Sequence, residues 1–353
     1  MKKKMKVLYV INDYPQMSQT YIENEIKALK TYCEMEIISL AKPNVSYKNH
    51  EPYTLEPSYK NLINKIIDFC PDVLHSHWLH MAPILHRLSC KTKIPFTIRA
   101  HSFDVLGKSD KLSSARRIIN NFRFKPFFPG FSPDSVSYLV NSENCLGVLA
   151  FPFSRELLVS AGIKDRKIYD CYPVVAYKKF LNKAPNGKGV MNIGACIPKK
   201  KMEYFVDLAK LVPERPFNLY SIGFETLKIS NYNKLHGSPV KILDVIEPDL
   251  MPAEYKKNQW LVYTADRIFN TVGWPLAVAE AQASGVGVCF PNLRKDLNEY
   301  IGGAGVLYDS INELPDIIRN DVPTSLRNLG FEVSKKSDID THISILLSLW
   351  KLR

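Results

Sequence analysis

Residues 270–290 read NTVGWPLAVAEAQASGVGVCF, and the glycines and proline divide this stretch into four pieces. Gly273-Trp274-Pro275 forms a loop, Leu276 to Ser284 an amphipathic helical segment, Gly285 a stop, and Val286 to Phe290 a buried strand. Proline suits a first helical turn, where its missing N–H would have had no partner. Gly285 suits the left-handed residue that closes a helix. A loop entering a helix presents backbone N–H groups at the positive end of the dipole, which favours a phosphate-bearing ligand. Glu280 lies two turns further on, where a carboxylate can accept hydrogen bonds from ligand hydroxyls. The same pattern also suits any helix packed on a parallel sheet by Leu276, Val278 and Ala279, so the stretch alone leaves both readings open.

Beyond this stretch, 353 residues suit two domains better than one core. The net charge of +12 favours an anionic partner: nucleotide, acidic lipid surface or nucleic acid. No nucleic-acid recognition motif accompanies that charge, so no nucleic-acid partner is expected. The seven cysteines contain no C-x-x-C pair and leave one over, which points to reduced thiols in a cytoplasm. Basic Met1 to Lys6 is followed by an apolar run ending at Asn12-Asp13, too short for a signal peptide and suited to a first strand. No apolar stretch approaches the length of a membrane span.

Short apolar runs alternating with helical patterns predict parallel sheets with crossover helices. Strands are expected at Val7 to Ile11, Glu36 to Leu40, Val73 to His75, Phe96 to Ile98 and Leu146 to Phe151. Helices are expected at Ser18 to Leu29, Tyr59 to Phe69, Met81 to Leu88 and Ser154 to Ala161. Proline and glycine between Cys171 and Gly189 mark a linker, giving domains 1–175 and 176–353. The second domain then offers strands at Gly189 to Gly194, Phe217 to Ile222, Val240 to Leu243, Trp260 to Thr264 and Val306 to Tyr308. The loop Asn12 to Gln19 lacks a glycine fingerprint, which argues against a dinucleotide there.

Glu280, Ala281, Ala283 and Gly285 match the second half of a motif written E-G-F-G, four variable residues, E-A-x-A-x-G. The chain thus resembles retaining GT-B glycosyltransferases, family 4-like, of the kind that build bacterial surface polysaccharides. Its first glutamate falls on Val272, a departure from the pattern. D-V-L-H-S-H-W (Asp72 to Trp78) and I-P-F-T-I-R-A-H-S-F-D-V (Ile94 to Val105) resemble the same superfamily, and His101 takes the place of its sugar-facing histidine. A-C-I-P-K-K-K-M resembles the phosphate-binding turn G-R-L-x-P-x-K-G, with Lys200 on the lysine and Ala195 on the arginine. Arg267 is the candidate replacement for that arginine.

The resemblance implies an α/β GT-B architecture: two Rossmann-like domains with parallel sheets facing an interdomain cleft. It further implies an acceptor in the first domain and a UDP- or GDP-linked sugar in the second. Glu280 would bond the ribose, Lys200 the diphosphate, and backbone amides near Gly273 and Trp274 the sugar. His101 would face that sugar. The implied reaction retains anomeric configuration, passes the sugar to a glycan or lipid-linked acceptor, and uses no cofactor and no protein-held metal. Val272 and Ala195 keep a non-catalytic GT-B subunit open, and a nucleotide-sugar epimerase shares the architecture.

Two further features stand apart. His75, His77 and His80 form a possible metal cluster, but no carboxylate or cysteine falls at a convincing spacing. Lys111, Arg116, Arg117, Arg123 and Lys125 are interleaved with phenylalanines 122, 124, 127, 128 and 131, without an acid. That segment suits either docking on an anionic membrane face or a solvated loop.

Overall fold

The computed structural model describes residues 4–43, 47–106, 132–223, 225–268 and 271–351. Two compact units result: Met1–Tyr172 together with Asp340–Arg353, and Pro173–Ile339. The basic, phenylalanine-rich segment from Lys111 to Lys125 lies outside the described residues. No described helix is long and apolar enough to cross a membrane.

The first unit holds the strands β1 (Met5–Asp13), β2 (Cys33–Ala41), β3 (Thr54–Leu55), β4 (Val73–His77), β5 (Phe96–Arg99), β6 (Cys145–Ala150) and β7 (Ile168–Asp170). They form one parallel sheet in the order β3-β2-β1-β4-β5-β6-β7. The order reverses between β1 and β4, and at such a switch point the carboxyl ends of parallel strands leave room for a ligand. Near-continuous apolar runs suit strands covered on both faces. Leu8, Val10, Leu74, Phe96, Ile98 and Val148 accordingly pack against Leu62, Ile66, Leu85 and Leu88 of the helices Tyr59–Phe69 and Ala82–Thr92. Burying each such side chain is worth roughly 1.5–3 kcal/mol.

The second unit holds β8 (Gly189–Ala195), β9 (Phe217–Ile222), β10 (Val240–Ile242), β11 (Asn258–Val262), β12 (Gly287–Pro291) and β13 (Val306–Tyr308). Their parallel sheet runs β10-β9-β8-β11-β12-β13, so its switch point lies between β8 and β11. Val190, Leu219, Trp260 and Val262 meet Phe205 and Val206 of the helix Glu203–Leu211.

One boundary differs from the sequence reading. The terminal helix Ile339–Lys351, placed in domain 176–353 by chain order, has Asp340–Arg353 in the first unit. Its buried stripe is the reason: His342, Leu346, Leu349 and Trp350 recur on one helical face. Trp350 donates from Nε1 to Thr97 Oγ1 on β5 at 3.0 Å. The strands β3 and β7 were not expected; both are short, and one is exposed, so neither carries a strong apolar run.

Candidate functional site

The second unit carries Lys200, Arg267 and Glu280 on separate segments. β8 ends at Ala195 and a short 3-10 turn, Pro198–Lys200, follows. The segment after β11 is stitched to that turn: Asp266 N–H donates to Lys199 O at 2.8 Å, and Thr264 Oγ1 donates to Lys200 O at 2.7 Å. Asn192 Nδ2, inside β8, donates to Thr264 Oγ1 at 2.9 Å. These bonds fix the lysine turn at the switch point.

Lys200 Nζ donates to Ile193 O at a long 3.3 Å and lies 5.1 Å from the centre of the Tyr263 ring. Burial pushes its ammonium down to about 8, and Lys199 beside it adds to the shift. The ammonium occupies space that a side chain at Gly194 would take, since a Cβ there would lie 1.9 Å from Nζ. Gly194 also has φ +127°, a backbone state that L side chains rarely adopt. This glycine and this lysine therefore form one device.

Gly285 takes the left-handed state expected of it, with φ +71°. Pro275 ends the loop as the N-cap residue, with ψ 136°, and the helix spans Leu276–Ala283. Glu280 is buried on that helix and accepts from the Tyr255 hydroxyl at 2.7 Å. Burial pushes its carboxyl up to about 7, with the Tyr255 hydroxyl and Lys179 opposing.

The loop before this helix is held by its side chains. The indole of Trp274 is buried, stacks on Tyr300 at 4.9 Å and donates to Asp296 Oδ2 at 2.8 Å. Arg294 grips both oxygens of Asp296 at 2.8 and 2.9 Å and also donates to Val272 O. Val272, which stands at the motif's first glutamate, is itself buried. Gly273 is half-buried within this pinned turn. Arg267 pairs with Asp309 at 2.7 Å on an exposed surface after β13.

In the first unit the register of three strands builds a polar cluster. Tyr9 pairs with His75 across β1 and β4, His75 with Thr97 across β4 and β5, and His77 with Arg99. Alternate strand residues share a face, so His75 and His77 point the same way. The helix Thr20–Leu29 lies over that face and inserts Glu25 from its buried stripe of Ile22, Ile26 and Leu29. Glu25 Oε1 accepts from Tyr9 at 2.6 Å and lies 3.0 Å from His77 Nε2. Its Oε2 lies 3.4 Å from Arg99 Nη1 and meets His342 Nε2 of the terminal helix.

Burial alone would raise the Glu25 carboxyl, but the facing His77 and His342 outweigh it and hold it well below the usual carboxylate range. Burial pushes the His77 imidazole down to about 4, against the pull of Glu25. His101, half-buried just past β5, places Nε2 3.1 Å from His77 Nδ1. Burial first, then His77 and Arg99, hold its imidazole well below the usual histidine range. The rings of Tyr21 and Trp78 lie 4.9 and 5.2 Å from it. Trp78 has φ +69°, a costly state for a bulky residue, at the carboxyl end of β4.

Of the expected histidine cluster, His75 and His77 do come together, and Glu25 supplies the carboxylate that local spacing lacked. One ligand atom from each falls within 4.8 Å of the others. Their environment fits a metal poorly: all three are fully buried and the Arg99 guanidinium already faces the carboxylate. His80 instead faces Asp104 at 3.7 Å.

Sequence reasoning missed Glu25, His342, Gly194, Tyr21 and Arg294. A signal existed for the first two: each is a polar residue within an otherwise apolar helical stripe.

No protein-family model matches the sequence, and no curated protein matches it either. Solved structures do match. HepE from Anabaena, in complex with UDP and glucose, superposes with TM-score 0.73 over 99% of this chain and 100% of its own, at 16% identity. The fold is GT-B. The lipopolysaccharide outer core galactosyltransferase WaaB matches with TM-score 0.63 at 13% identity, over 98% of this chain and 99% of its own. Sucrose-phosphate synthase from Thermosynechococcus elongatus matches with TM-score 0.67 at 11% identity, over 99% and 98%. The GT-B chains of HepE were also solved with UDP alone and with UDP-glucose.

Proposed function

We propose that this protein is a retaining glycosyltransferase that moves a sugar from a nucleoside-diphosphate sugar to a glycan or lipid-linked acceptor in surface polysaccharide synthesis. The observation that carries this reading is the whole-length GT-B match to a protein solved with UDP and with UDP-glucose. A half-buried lysine whose ammonium makes one long protein hydrogen bond among the described residues, at the switch point of the second sheet, supports it. An anion is the partner such a cation lacks.

In this reading Lys200 neutralises the diphosphate as it leaves, and Glu280 bonds the ribose. Backbone amides at Gly273 and Trp274 serve the sugar, and His101 meets one of its hydroxyls. Arg267, exposed beside Asp309, is a reserve cation for the phosphates. The leaving phosphate accepts the proton of the attacking hydroxyl, so catalysis rests on positioning and charge stabilisation. No cofactor or protein-held metal takes part. The enzyme works at the cytoplasmic face, with Lys111, Arg116, Arg117, Arg123 and Lys125 drawn to anionic lipid. Sedimentation with anionic but not neutral liposomes checks that attachment.

The test is a thermal-shift series with UDP, GDP, UDP-glucose and other sugar conjugates, since a ligand selective for the native state raises its melting temperature. Stabilisation by one nucleotide family, followed by transfer of labelled sugar, is expected. No response to any nucleotide ends the reading.

A second reading, a nucleotide-binding subunit without transferase activity, draws on Val272. An apolar, buried residue with its carbonyl engaged by Arg294 stands where the motif has a glutamate. Nucleotide binding without transfer or donor hydrolysis would favour it.

A further inference from the structure

We propose that Glu25 and His77 are positioning residues that fix the tautomer of His101, leaving its Nδ1 as a hydrogen-bond acceptor for a sugar hydroxyl. The choice of ligand rests on the glycosyltransferase reading; the tautomer does not.

A guanidinium is a fixed cation, and with Arg99 Nη1 3.4 Å from Glu25 the carboxylate is held ionised and can only accept. His77 Nε2, 3.0 Å from that carboxylate, therefore carries a hydrogen. Full burial beside Arg99 and His75 keeps the His77 ring neutral, and a neutral imidazole has one N–H. Its Nδ1 is consequently an acceptor. His101 Nε2 faces that acceptor at 3.1 Å and must donate to it. His101, half-buried between the Tyr21 and Trp78 rings with His77 and Arg99 disfavouring a second charge, is neutral as well, so its remaining nitrogen, Nδ1, holds a lone pair.

The surroundings hold this arrangement. The helix Ser102–Leu106 follows immediately, and Asp104 Oδ2 accepts from the His101 backbone N–H at 3.0 Å. Tyr21 and Trp78 confine the ring, while His101 remains more exposed than His75 or His77. Among the described residues, the ionisable groups near the pair include Glu25, Arg99, His75, His80, Asp104, Tyr9 and Tyr21. A lone pair accepts from a neutral hydroxyl but repels phosphate oxygens, so the relay assigns His101 to the sugar and not to the diphosphate.

Long-range proton–nitrogen spectra of full-length protein labelled with nitrogen-15 histidine test this directly, with His101→Asn identifying the His101 signals. The ligand-free protein at pH 7 should show the Nε2–H tautomer. An Nδ1–H tautomer or an imidazolium would overturn the relay, whatever the protein's activity. UDP-glucose should then shift the Nδ1 signal while UDP alone leaves it in place. A response to free glucose instead would place the hydroxyl on the acceptor sugar. Silence to all of these would remove the sugar assignment. His77→Phe, which deletes the acceptor, should leave His101 in mixed tautomers. It should lower kcat/KM by about 10–100-fold, the loss typical when a partner that orients a histidine is removed, without changing UDP affinity. An unchanged tautomer in that variant would also count against the relay.

Discussion

The polar clusters of the two units treat charge in opposite ways. In the first, Glu25 is met on both oxygens by Tyr9, His77, Arg99 and His342. In the second, Lys200 is half-buried, and the one protein hydrogen bond of its ammonium among the described residues is a 3.3 Å contact to Ile193 O. A buried charge hydrogen-bonded on both oxygens organises its neighbours; a half-buried charge without a counter-ion is poised to receive one. On the proposed reading, the first cluster serves structure and tautomer control and the second serves anion binding. Substitutions in each should differ in kind as well as size.

The largest expected effect is on folding. Glu25→Ala leaves Arg99 without its carboxylate and should cost about 3–5 kcal/mol in urea denaturation, as for other buried pairs broken from one side. A loss as small as that of a surface substitution would break the contrast. The next effect concerns pH. Because the folded pKa of Glu280 lies near 7, above its ordinary 4.5, the native state binds more protons than the unfolded chain between those values. Stability from this group is therefore full below the ordinary value and declines as pH rises through about 7. The decline amounts to about 3 kcal/mol at 1.36 kcal/mol per pKa unit. Denaturation midpoints at pH 5 and pH 8 measure it, and Glu280→Gln should flatten the difference.

Lys200→Ala should reduce turnover by ~10²-fold, the scale of removing one donor to a developing charge, with little change in the denaturation midpoint. A stability loss matching that of Glu25→Ala would merge the two clusters into one category. The smallest effect sharpens the contrast most. Lys200 loses its proton as pH rises through about 8, so UDP affinity should weaken above that pH, by about tenfold per unit. Lys200→Arg, charged throughout, should remove the dependence in calorimetric titrations. An equal slope in both proteins would detach the lysine from the nucleotide.

What the sequence could reveal follows from distance along the chain. Tyr59–Phe69, Phe217–Ile222 and Val306–Tyr308 form where the apolar pattern places them, because period and punctuation are local properties. Lys200, Glu280 and His101 could be singled out because each lies within a short motif on or just beyond one element. The partner of each was hidden. Gly194 is separated from Lys200 by only five intervening residues, yet no pattern says that a glycine there makes room for an ammonium.

The sequence by itself therefore determined two parallel α/β sheets and the strand ends from which candidate side chains emerge. Only the tertiary structure decided what those side chains meet. Glu25 and His342 are 317 residues apart and touch because the last helix returns to the first unit. Proton positions on His77 and His101 follow from that meeting, since a tautomer is set by the neighbour across space and not by the neighbour in the chain.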